Sequence, residues 1–152
     1  MRQTVFVASD HDAFQVKERI VTALSVPSNM TIKDLGTDHD DFPIDFPIYA
    51  KMVADLVIET PESKGILLSY AGIGMAIMAN KVNGIRAILG INPELAVIGR
   101  KEYDANICCV SSRFMSFEII RDTVRAFLET KYNDDDIGNV RRLYMLDKLS
   151  SY

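Results

Sequence analysis

Three groups of residues have the types and spacing for chemistry. The first is Asp10-His11, directly after an apolar run. A histidine there can donate to a phosphate or shuttle a proton near neutral pH. The same pair also reads as a helix cap beside an exposed histidine. The second is the stretch from Gly65 to Arg86, where Ile66-Leu67-Leu68 precedes Ser69, Tyr70, Ala71, Gly72, Ile73 and Gly74. Met75, Ile77, Met78 and Val82 then recur at helical spacing. Strand, tight turn and helix in that order aim a helix N-terminus at a strand end, which favours an anion such as a phosphate or an enediolate oxygen. A plain strand-to-helix turn with glycines for backbone geometry fits these residues as well. The third group is Arg113 with Arg141 and Arg142. Guanidinium forks match phosphate oxygens, though a helix start paired to Asp134 to Asp136 would use the same arginines.

Other features exclude chemistry. Cys108 and Cys109 are adjacent in an apolar run, so they give neither a disulfide framework nor a spaced metal site. The only two histidines are His11 and His39, which excludes a histidine-rich metal centre. His39 lies in an acidic loop and reads as a surface residue. Gly72 and Gly74 lack the third glycine of a dinucleotide fingerprint, and no P-loop Lys-Ser/Thr follows, so a nucleotide site is disfavoured. Met75 and Met78 read as core.

The elements that must hold these groups alternate along the chain. Strands are expected at 4–8, 30–35, around 66–68, at 86–89 and at 106–110. Helices are expected at about 13–24 with Asp10 or Asp12 as cap, 48–58, from Gly74 to a stop at Gly84, from Asn92-Pro93-Glu94 to about Lys101, at 116–130 and at 139–149. The acidic, twice-proline segment 38–47 reads as a loop. Five strands alternating with helices give an α/β fold, a Rossmann-like doubly wound five-stranded parallel sheet with flanking helices and a C-terminal helix. Ligands of such sheets sit outside the carboxyl ends of the strands. Asp10, His11, Asp45, Ser69 to Gly74 and Arg113 collect at that edge, and the last helix is free to reach a neighbouring subunit or fold back.

At 152 residues the chain is expected to form a single domain over 1–152 with a real core. Its net charge of −4 argues against broad nucleic-acid or anionic-membrane binding. No apolar run is long enough to span a bilayer. The first ten residues look like a strand and not a signal peptide. A reduced, cytoplasmic setting is expected.

Together these pieces resemble the family of ribose-5-phosphate isomerase type B and the galactose-6-phosphate isomerase subunits. The likeness rests on Ser9-Asp10-His11, Gly36-Thr37, Asp45-Phe46-Pro47 with Tyr49-Ala50-Lys51, and Gly72-Ile73-Gly74-Met75 with Ala79-Asn80-Lys81-Val82. Gly84-Ile85-Arg86-Ala87, Asp104-Ala105-Asn106, Arg113 and an arginine-bearing last helix follow in order. The resemblance implies a cofactor-free, metal-free aldose–ketose isomerase of a phosphorylated sugar. It also implies a homodimer or homotetramer with active sites at a subunit interface. Asp10 would orient the sugar or assist ring opening, and the turn at Ala71, Gly72, Ile73 and Gly74 would hold the enediolate. His11, Asp45, Arg113, Arg141 and Arg142 would complete the sugar and phosphate grip.

The departures from that pattern are specific. Ser69 stands where the family has its cysteine base, and Met75 where some members have a glutamate. A thiol ionises near ~8.5 and can be tuned lower, whereas a serine hydroxyl needs a neighbouring base. Tyr70 and Ala71 replace small residues, Glu102 the ring-opening histidine and Tyr103 the sugar-binding asparagine. Gly138 and Asn139 stand at the usual arginine and histidine near the C-terminus. The expectation is an isomerase with an atypical site in which Ser69 at most hydrogen-bonds the sugar and Glu102 transfers protons. The alternative is a phosphosugar-binding protein, or one subunit of a heteromeric enzyme that needs a partner subunit.

Overall fold

A computed structural model of the chain describes residues 2–24, 29–37 and 45–149. His39 and most of the acidic loop lie outside these. The strands are β1 (Gln3–Ser9), β2 (Met30–Asp34), β3 (Lys64–Ser69), β4 (Ala87–Leu89) and β5 (Ile107–Ser111). They form one five-stranded sheet in the order β2-β1-β3-β5-β4, with every pairing parallel. The helices are α1 (Phe14–Leu24), α2 (Phe46–Glu59), α3 (Ile73–Ala79), α4 (Pro93–Tyr103), α5 (Phe117–Glu129) and α6 (Ile137–Leu149). This is the doubly wound α/β architecture that the alternation implied.

Period-two alternation divides the core between two faces. Val5, Val7, Ile66, Leu68, Cys108 and Val110 point to one face, against Ile20 of α1, Ala96 of α4 and Ile120, Val124 and Phe127 of α5. Phe6, Ala8, Leu67, Ile107 and Cys109 point to the other, against Val53 of α2 and Met75 and Ala79 of α3. Connections running towards β2 or from β4 back to β5 use the first face, and those running the opposite way use the second. A constant crossover hand requires this segregation. It also makes the chain leave β1 and β3 on opposite faces, which opens a crevice at their carboxyl ends.

Several boundaries differ from expectation. Helix α2 starts at Phe46, inside the expected loop, because Pro47 occupies its first turn, where no N–H is needed. Helix α3 stops at Ala79 rather than Gly84. Turn bonds from Val82 to Ala79 and from Ile85 to Val82 take over, and Gly84, at φ +83°, makes the bend into β4. Helix α4 continues to Tyr103 and ends on Asp104 in the left-handed region. Helix α6 begins at Ile137.

Candidate active site

The carboxyl ends of β1, β3 and β5 converge in register: Ser9 lies opposite Leu68, and Ser69 opposite Ser111. Outside them is a cavity of about 910 Å³ lined by His11, Asp12, Gln15, Val16, Tyr70, Ser112 and Arg113. Its walls therefore come from the start of α1, the turn after β3 and the turn after β5.

The first wall is set by Asp10. Its N–H bonds Leu68 O of the neighbouring strand, and its Oδ1 accepts the Ala13 N–H at 3.2 Å. Asp10, rather than Asp12, is thus the cap, starting a single 3-10 turn over His11–Ala13 ahead of α1. Burial raises the Asp10 carboxyl above its ordinary range, and the Asp12 charge adds to this. His11 Nε2 lies 3.5 Å from Asp12 Oδ1. Beneath this turn, Lys17 is 1% exposed. Its Nζ donates to both Asp34 carboxylate oxygens at 2.8 and 2.6 Å and to Thr37 O at 2.8 Å. That network clamps α1 to the end of β2. Gly36 makes it possible: a Cβ there would meet Ser9 N at 2.6 Å and Lys17 Cδ at 2.9 Å.

The second wall is the turn after β3. Ser69 is buried, and its Oγ accepts the Gly72 N–H at 2.9 Å. Gly72 sits at φ +75°, the left-handed region open to glycine, and a Cβ would meet Leu89 Cδ1 at 2.8 Å. Within the turn expected to hold the enediolate, the Gly72 N–H is therefore spent on Ser69. Phe46 packs its ring where a Gly74 Cβ would stand, which places Asp45, one residue earlier, beside this turn. Asp45 is exposed and caps α2 without a side-chain bond.

The third wall is welded to the second. Ser111 Oγ donates to Tyr70 O at 2.7 Å and accepts the Phe114 N–H at 2.9 Å. The Ser112 N–H bonds Ser69 O, and the Arg113 N–H bonds Tyr70 O. Tyr70, which lines the cavity, meets Phe114 edge to face with ring centroids 5.7 Å apart.

The remaining expected site residues are elsewhere. Glu102 and Tyr103 end α4, immediately before β5, and so lie at the amino edge of a parallel sheet. A single chain does not bring them to the cavity with Asp10 and Ser69. Tyr103 lines a second hollow there with Leu146 and Asp147 of α6. The last helix folds back onto α4, and its Asp147 Oδ1 approaches Arg86 at 3.7 Å. Arg141 is exposed, while Arg142 donates to Asn139 Oδ1 at 2.6 Å and not to Asp134 to Asp136. Neither thiol is near the site chemistry: Cys108 and Cys109 are fully buried in β5, and burial pushes Cys108 to about 12. Sequence reasoning overlooked Gln15 and Lys17, and gave Asp12 only a capping role. Lys17 did leave a signal, standing at a stripe position between Ala13 and Ile20 on the buried side of α1.

The fold and this cavity define an α/β protein with a cavity of mixed charge at the carboxyl edge of its sheet. Comparison with known proteins carries this further. The Ribose/Galactose Isomerase family profile matches residues 5–146, and the chain belongs to that family. Ribose-5-phosphate isomerase B of Escherichia coli is 35% identical over 123 residues, 81% of this chain and 81% of that protein. The Trypanosoma cruzi type B ribose 5-phosphate isomerase structure aligns with TM-score 0.94 at 31% identity, covering 99% of this chain and 98% of that one. Ribose-5-phosphate isomerase B from Mycoplasma genitalium, solved with bound ribulose-5-phosphate, aligns with TM-score 0.91 at 30% identity, over 99% and 98% of the two chains.

Proposed function

We propose that the chain is a cofactor-free aldose–ketose isomerase of a phosphorylated sugar, acting through an enediolate without a cysteine base. The observation that carries this reading is the convergence of His11 and Arg113 on one cavity at the carboxyl edge of this family's scaffold. Arg113 and His11 hold phosphate there by charge-assisted hydrogen bonds. Asp10 handles the ring oxygen during opening. The N–H groups of Ile73 and Gly74, which have no intrahelical acceptor, meet the developing oxyanion. Ser69 keeps the turn in shape.

Glu102, Tyr103, Arg141 and Arg142 serve a cavity on a neighbouring copy, Glu102 in ring opening and the arginines on phosphate. This requires at least a homodimer with interface sites. The exposed apolar residues Tyr144, Met145 and Leu146 on α6 favour such a partner. The candidate substrates are ribose-5-phosphate and hexose-6-phosphates such as galactose- or allose-6-phosphate.

The test is proton NMR of the purified chain in deuterated water with each sugar phosphate in turn. Exchange at C2 with ketose product is expected from at least one. The second reading, a phosphosugar-binding protein or half of a heteromeric enzyme, is favoured by the engagement of Ser69 Oγ and the burial of both thiols. Thermal stabilisation by a phosphosugar without C2 exchange would select it.

A further inference from the structure

We infer that the hollow beside the start of β3, at the amino edge of the sheet, is a further binding site, for a phosphate group held by Lys64, Arg100 and Tyr132. It lies across the sheet from the carboxyl-edge cavity and does not rest on the isomerase reading.

The hollow measures about 650 Å³. Lys64 opens β3, Arg86 immediately precedes β4, Asp104 follows α4, and Tyr132 lies between α5 and α6. All four line it, together with Arg100 of α4. Lys64 is 8% exposed and Arg100 6%. Cations at that depth need partners, because a buried charge left unpaired is strongly destabilising.

Asp104 supplies a carboxylate, and the two arginines take both of its oxygens. Oδ1 accepts from Arg100 Nη1 at 2.7 Å, and Oδ2 accepts from Arg86 Nη2 at 2.8 Å. Lys64 is left out of this network. Its Nζ donates to Ser63 O at 3.3 Å and, among the described residues, to no carboxylate. Arg100 spends Nε on Thr130 O and Nη1 on Ala105 O as well, which leaves its Nη2 as a donor. The Tyr132 hydroxyl is buried and has no hydrogen-bond partner. Orphaned buried hydroxyls are few in native proteins, and a ligand or ion that completes the bond is one explanation for them.

The electrostatics agree with this geometry. Burial lowers the Lys64 ammonium from its ordinary value, and the Arg100 charge adds to this; an arriving anion works in the opposite direction. Burial raises the Tyr132 phenol, so it stays a donor. The Asp104 and Arg86 charges act on both Lys64 and Tyr132, which puts the two in one neighbourhood. The acidic residues Glu62, Glu129 and Asp134 at the rim are exposed, where solvent and salt screen them. A phosphate has oxygens enough to accept from Lys64 Nζ, Arg100 Nη2 and the Tyr132 hydroxyl together, and the bonds from the two cations are charge-assisted. The volume also admits a small organic group on that phosphate.

The experiment is proton–nitrogen correlation NMR of the chain titrated with inorganic phosphate and, separately, with ribose-5-phosphate. Saturable shifts are expected at the Lys64 and Tyr132 amides, fitted apart from any at His11 and Arg113. Lys64→Met is expected to weaken the amino-edge site by about tenfold or more, and Tyr132→Phe by about three- to tenfold, with the carboxyl-edge response unchanged. Tyr132→Phe removes a hydroxyl that has no partner, so it is expected to melt no lower than wild type. That variant carries the test if Lys64→Met does not fold. Tighter binding of ribose-5-phosphate identifies a phosphorylated metabolite as the ligand, and equal or tighter binding of inorganic phosphate identifies the free anion. No saturable shift at the amino edge with either probe overturns the site. An amino-edge affinity that Tyr132→Phe leaves unchanged overturns it too. The isomerase reading survives either result, since its own test is C2 exchange.

Discussion

Ser69 Oγ accepts the Gly72 N–H at 2.9 Å, so Ser69 is the latch of the turn. The bond spans the tightest bend in the site, where Gly72 holds φ +75° with Val110 backbone 3.1 Å from where a Cβ would be. Gly72→Ala is expected to cost about 1–3 kcal/mol from the left-handed backbone alone, with contact against Leu89 adding to it. Ser69→Ala is expected to cost about 1–2 kcal/mol, since it leaves a buried N–H without its acceptor. Urea unfolding of both variants checks this. A Ser69→Ala protein as stable as wild type would mean that the latch is redundant.

The Lys17 network makes the second prediction. A lysine ammonium at 1% exposure survives because three acceptor atoms meet it, and Glu18 Oε1 adds a fourth contact at 3.0 Å. Lys17→Met keeps the aliphatic stem against Gly36 but takes the ammonium away from the Thr37 carbonyl and from the Asp34 carboxylate, which keeps the Gly36 N–H at 3.1 Å. Breaking a buried pair from one side costs about 3–5 kcal/mol; Asp34 is partly exposed, which places the expected loss near the lower end. The double variant Lys17→Met/Asp34→Leu is expected to recover part of that loss. Thermal melting of the single and double variants measures the difference.

Much of this arrangement was legible beforehand. Strand positions followed from apolar runs, and the sheet from their alternation with helices. The collection of Asp10, His11, Ser69 and Arg113 at one edge followed from parallel topology alone. The same topology puts Glu102 at the amino edge, since a residue just before a strand of a parallel sheet lies there. The end of α3 was not legible, because Met78, Val82 and Ile85 keep a helix-compatible spacing through a run of turns. The use of Asp10 rather than Asp12 as cap depended on backbone geometry that composition does not carry.

Asp10 makes a third prediction through its raised carboxyl. A carboxyl whose folded value lies above its unfolded 3.8 binds its proton more tightly folded than unfolded. Its contribution to stability is whole below 3.8 and is lost as pH rises through the raised folded value. Asp10→Asn keeps a side-chain oxygen for the Ala13 N–H but does not ionise. Relative to wild type, the variant is expected to gain stability as pH climbs through that window and to hold a constant difference at higher pH. Chemical denaturation of both proteins across the range tests the sign, and a gain on acidification would reverse it.

The thiols make the last prediction. Cys108 and Cys109 alternate between the two faces of the central part of the sheet, one in each core cluster, and neither is solvent-exposed. Burial raises Cys108 to about 12 and Cys109 well above its ordinary value. A thiol in that state is a small apolar side chain, with neither the thiolate nor the access that alkylation needs. Native protein is expected to resist iodoacetamide at mildly alkaline pH and to keep full C2 exchange. Unfolded protein is expected to take up two equivalents, matching the two cysteines. Alkylation of native protein with loss of exchange would mean that β5 opens to solvent and that a thiol reaches the chemistry after all.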